Sequence, residues 1–156
     1  MRQRFRQAKA DVWTMRQLFP EAEQLARAGG RAQPGPDDLV LAALGLPDGT
    51  ARRALESCGV TARALRAATE EVRGAPAGAS APLPDPPTGA FDAEPSMRMT
   101  FHVAVGIAKA DRSHVRSGDV LLAALQSPEG IVVTALARLG VSTDDVRDAV
   151  ARSGPQ

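Results

Sequence analysis

The segment "DDLVLAAL" at residues 37–44 returns almost unchanged as "GDVLLAAL" at residues 118–125. A spacing of 81 positions carries Leu44 to Leu125, Pro47 to Pro128, Gly49 to Gly130, Leu55 to Leu136, Gly59 to Gly140 and Val60 to Val141. Upstream the spacing becomes 82, matching Met15 with Met97, Arg16 with Arg98, Phe19 with Phe101, Ala22 with Ala104, Ala26 with Ala108 and Ala28 with Ala110. A one-residue change confined to a connection is what an exposed loop absorbs, so the chain reads as two tandem copies of one unit.

Each copy carries the punctuation of four helices. Val12, Met15, Phe19, Ala22 and Ala26 recur at helical spacing, predicting a first helix over about residues 11–28 with its counterpart over about 94–110. The repeated motif opens the second helix, where Asp37 or Ser117 is the expected cap for unpaired first-turn amides. A third helix fits between Gly49 and Gly59, or Gly130 and Gly140, the later glycine of each pair taking the left-handed conformation that ends a helix. The fourth follows Thr61 or Ser142, each a good N-cap, and "STDD" places an acid three residues after its serine.

Strand signals are absent, so the expectation is an all-α fold of two tandem four-helix repeats related by pseudo-two-fold symmetry. The repeats span residues 10–73 and 94–152, with an N-terminal extension at 1–9, a Pro/Gly-rich linker at 74–93 and a fraying tail at 153–156.

Composition limits the function. A hydrophobic fraction of 44% with only 3% aromatics implies a core of alanine, leucine and valine, suited to closely packed helices. Nineteen basic residues against eighteen acidic ones give a net charge of +1, which argues against a nucleic-acid partner. The basic, charged start of the chain and the lack of any long apolar run predict no membrane segment and a cytoplasmic location. No "G-x-x-x-x-G-K-[ST]", "H-E-x-x-H" or "G-x-S-x-G" pattern occurs, so neither a cofactor nor an enzymatic activity is expected.

The doubled four-helix unit, with "DDLVLAAL" and "GDVLLAAL" opening the second helix of each copy, resembles the Clp N-terminal domain carried at the front of bacterial Clp unfoldases. The "LESCGVT" and "LARLGVS" turns and Pro95 before "SMRMTFHVAVGIAKA" extend the resemblance over nearly all of residues 10–152. That family's motif is "G-[ST]-E-H-L-L-L-x-L". Its glutamate falls on Asp38 and Asp119, its Ser/Thr on Asp37 and Gly118, and its histidine on Leu39 and Val120.

The resemblance implies a non-catalytic platform for protein or peptide ligands, with arginine- or phosphoarginine-bearing segments, Clp protease components and peptide antibiotics as candidate partners. It places the ligand-binding residues at Asp37, Asp38, Ser117, Gly118 and Asp119. Two adjacent aspartates in the first copy should repel a phosphate and suit a bare arginine or basic peptide, whereas Gly118 beside Asp119, after His114 and Arg116, suits an anionic ligand better. Two alternatives stand beside this. Asp38 and Asp119 also fit as first-turn acids favoured by the helix dipole, and the whole chain also fits an assembly protein that self-associates or docks on a Clp complex.

Other residues carry weaker signals. Cys58, the single cysteine, reads as a small packed hydrophobe, and His114 with Asp111 and Asp119 makes a poor metal set. Phe5, Trp13 and Phe91 are candidates for an apolar groove or for simple helix staples. "RQRFRQAK", residues 2–9, is a basic run able to touch an acidic partner, its default being a disordered, solvated terminus.

Overall fold

The computed structural model describes residues 2–74 and 95–153. Most of the expected linker, with Phe91, and most of the tail lie outside them. The described residues form helices joined by turns, with no strand among them. The first copy supplies α1 (Arg2–Ala28), α2 (Pro36–Ala43), α3 (Thr50–Ser57) and α4 (Ala62–Arg73). The second supplies α5 (Pro95–Ala110), α6 (Ser117–Leu125), α7 (Ile131–Arg138) and α8 (Thr143–Arg152).

Local signals explain most boundaries. Thr61 Oγ1 accepts the Ala64 N–H and Ser142 Oγ accepts the Asp145 N–H, both at 3.1 Å, fixing the starts of α4 and α8. Gly59 and Gly140, at φ 79° and 75°, end α3 and α7 in the left-handed region. That geometry lets the next amide reach back, from Val60 to Leu55 at 2.9 Å and from Val141 to Leu136 at 3.0 Å.

Three expectations are corrected. α1 begins at Arg2, so residues 2–9 continue the helix rather than fraying. Val12 continues the predicted stripe but is exposed, whereas Leu18, Phe19, Ala22 and Ala26 are buried. The N-caps of α2 and α6 are Gly35 and Arg116. Asp37 and Ser117 therefore sit inside their helices, and neither caps its own.

Packing interlocks the copies. α1 lies on α2 and α5 on α6, but α3 packs on α8 and α4 on α7, while α2 crosses α6. One continuous core results, joining Leu39, Leu55 and Leu65 to Met97, Leu121 and Leu136. At its margin Phe19 meets its own repeat equivalent, Phe101, edge to face, with centroids 5.4 Å apart and planes at 81°. A residue touching its counterpart is compatible with an approximate two-fold axis passing between them.

Gly118 marks the tightest join. A Cβ there would lie 2.8 Å from Thr50 Cγ2 and 3.1 Å from Val150 Cγ1. Gly118→Ala is therefore expected to destabilise the fold by about 1–3 kcal/mol, as overpacking does. Urea unfolding measures the loss, and adding Thr50→Ala restores part of it.

Candidate functional site

The two repeated motif helices begin on one physical device used twice. Asp38, in the first turn of α2, accepts the Gly35 N–H at 2.8 Å, and Asp119, in the first turn of α6, accepts the Arg116 N–H at 2.9 Å. Each carboxylate thus satisfies an orphan donor at the positive end of its helix. Beyond that, the two sites differ.

In the first copy both aspartates are buried and filled from within. Arg31 grips Asp38 with two hydrogen bonds, Nη1 to Oδ2 at 2.5 Å and Nη2 to Oδ1 at 2.7 Å. Arg73, at the end of α4, forks onto Asp37 through Nε to Oδ2 at 2.9 Å and Nη2 to Oδ1. Burial of two adjacent carboxylates is tolerable because each holds a planar guanidinium in its preferred bidentate geometry. No sequence rule pointed to Arg73, which is 36 residues from its partner.

In the second copy Ser117 and Gly118 face the other repeat. Ser117 Oγ donates to Asp48 Oδ1 at 2.5 Å and accepts the Ala51 N–H at 3.0 Å, while the Ser117 N–H donates to Asp48 Oδ2 at 3.0 Å. Asp11, on α1, accepts the Val115 N–H at 2.9 Å. The start of α6 is therefore pinned by two carboxylates of the first copy. Asp48 occupies the "PDG" turn before α3, a position the sequence did not single out.

Asp119 itself is less fully engaged. The nearest atom of the Arg116 guanidinium, Nε, stands 3.9 Å from Oδ2, and this Nε is buried with no hydrogen-bond partner. Burial raises the Asp119 pKa above the ordinary carboxylate range against the help of the Arg116 amide and guanidinium, and the charges of Asp111 and Asp48 add to the rise. Burial pushes Asp48 the same way, but the hydrogen bonds from Ser117 and Thr50 outweigh it and leave its pKa lowered.

A groove of about 470 Å³ opens between the copies, with Pro36 and Arg73 on one side and Met99, Val103, Gln126 and Ile131 on the other. Trp13 lies elsewhere, exposed on α1. The side chain of Phe5 is outside the described residues. Cys58 packs partly buried against the core. Among the described residues no three His, Cys, Asp or Glu side chains group as a metal site, and no helix is long and apolar enough to cross a membrane.

Comparison with known proteins agrees with this architecture. The profile of the Clp repeat (R) N-terminal domain matches residues 13–109. No curated protein matches the chain. Among solved structures, the N-terminal domain of the caseinolytic protease associated chaperone ClpD from Arabidopsis thaliana superimposes with a TM-score of 0.62. Its identity is 15%, over 89% of this chain and 90% of that one, so the likeness is one of fold.

Two stability effects follow from the wiring. Asp38→Ala removes both close hydrogen bonds of a largely buried guanidinium, leaving Arg31 only its 3.9 Å approach to Asp37, and is expected to cost about 3 kcal/mol in urea unfolding. Asp48→Ala removes the acceptor of three hydrogen bonds and is expected to cost about 2–3 kcal/mol at neutral pH. Because the folded pKa of Asp48 is lowered, its contribution is complete above the ordinary carboxylate value of about 3.9 and fades as pH falls through that value toward the folded one. The gap between wild type and Asp48→Ala should therefore narrow on acidification below about pH 4.

Proposed function

From the premise that the chain belongs to the Clp repeat N-terminal domain family, we propose that it is a non-catalytic docking module for protein or peptide segments. It acts on a Clp complex as an adaptor or competitor, or it sequesters its ligand. Within the module, the second motif is the ligand-facing one.

The observation that carries this reading is the unmatched hydrogen-bonding capacity at Arg116 and Asp119. In the first copy Arg31 and Arg73 already occupy Asp38 and Asp37 in the forked geometry a ligand arginine would adopt. Ser117 and Gly118 spend their contacts on Asp48, Ala51, Thr50 and Val150. Arg116 Nε lacks an acceptor, and Asp119 takes one backbone N–H with the guanidinium held off. A phosphoarginine side chain supplies both complements: its phosphoryl oxygens accept from Arg116, and its remaining guanidinium N–H groups donate to Asp119.

Phosphoarginine titrated into the isotope-labelled protein is expected to shift amides clustered at residues 115–120, and Arg116→Met to abolish those shifts while leaving the remaining spectrum in place. Unmodified arginine is expected to bind more weakly. Shifts centred on Gly35–Leu39, or retained in Arg116→Met, would transfer the ligand site away from the second motif. No shift with either compound would favour an assembly role without a carboxylate site.

A further inference from the structure

The exposed face of the N-terminal half of α1 is built from two kinds of residue. Val12 and Trp13 are 44% and 53% exposed, large apolar groups left in water on a helix whose C-terminal half supplies the core. With Ala8, Lys9 and Arg16 they line a shallow concavity of about 410 Å³. Arg6, Lys9 and Arg16 are exposed, and none of the three has an ion-pair partner among the described residues.

This arrangement is unfavourable in isolation. The first turn of α1 carries no acidic residue to meet the positive end of the helix dipole, and the exposed Arg6 and Lys9 follow it. Negative charge from outside would offset both the dipole and these cations, and an apolar side chain beside it would cover Trp13.

From this charge complementarity the geometry points to a second docking surface: the Val12–Trp13 concavity with its Lys9 and Arg16 rim holds an acidic, amphipathic protein segment. This surface stands apart from the Arg116–Asp119 site and does not depend on it. A lipid headgroup layer shares the negative charge but fits less well. The broad apolar face of α1 is already buried in the core, and Asp11 is pinned to the Val115 N–H, so the helix cannot roll that face into a bilayer.

Trp13 is the only tryptophan and there is no tyrosine, so intrinsic fluorescence reads this surface directly. The probe is a helix-forming peptide of leucine, alanine and glutamate, with a twin carrying lysine for every glutamate. For the full chain, the glutamate peptide is expected to blue-shift Trp13 emission, with binding that weakens as salt rises. The double variant Lys9→Glu/Arg16→Glu should weaken that binding about tenfold or more, and Trp13→Ala, followed by calorimetry, by a similar factor.

Arg52→Glu/Arg53→Glu, exposed on α3, is the control and should leave binding unchanged. An absent shift, an equal response to the lysine twin, or an equal loss in the α3 control would overturn the proposal. So would a shift produced only by phosphatidylserine vesicles, which would assign the face to membranes. Phosphoarginine binding reads a different region, so either reading can fail without the other.

Discussion

Neither repeat can bury its own apolar surface, and everything else in the fold depends on that. α3 finds its cover in α8 and α4 finds its cover in α7, so the hydrophobic faces of one copy are completed by the other. An alanine- and leucine-rich sequence makes this workable, because small side chains let helix axes approach until a glycine is required, as at Gly118 against Thr50. Phe19 of α1 against Phe101 of α5 is the aromatic contact between the copies among the described residues. The packing therefore draws on both copies, in the way that repeat units generally lean on neighbours.

Shared packing has not kept the two motif helices alike. Asp38 and Asp119 perform the same task for the preceding amide, yet the charge on Asp38 is met by Arg31, whereas that on Asp119 is met incompletely by Arg116. The backbone explains part of this divergence. Pro34 and Pro36 have no N–H to offer. Val115 and Ser117, just before and at the start of α6, do, and they donate to Asp11 and Asp48 across the interface. One copy has closed its helix start with arginine side chains, and the other has anchored its start to the partner repeat.

Elements whose signals are local were legible in the sequence. Thr61, Ser142, Gly59 and Gly140 announced helix ends through side-chain and backbone preferences that need no knowledge of the fold. The periodic pattern marked Phe19, Ala22 and Ala26 correctly but included Val12, because a stripe three to four residues wide does not say where neighbouring helices stop covering it. The partners of the motif carboxylates stayed hidden for a related reason. Arg73 reaches Asp37 and Ser117 reaches Asp48 only after α4 and α6 have been placed by long-range packing. The start of α1 was misjudged because composition favours a solvated terminus, while helix continuity from an anchored segment outweighs that preference.

The cross-repeat anchoring also bears on how a ligand at the second motif would be felt. Asp119 lies two residues beyond Ser117, whose hydroxyl and amide are both held by Asp48 in the turn leading into α3. α3 in turn packs on α8, whose Val150 lies beside Gly118. Moving the Arg116 guanidinium toward an anion would disturb its contact with Asp119 while the backbone beneath stays fixed by Asp48 and Asp11. A backbone fixed beneath the side chain reduces the ordering cost of binding, because only the side chain must be rearranged. Weakening that base would loosen the site without removing any group that touches the ligand.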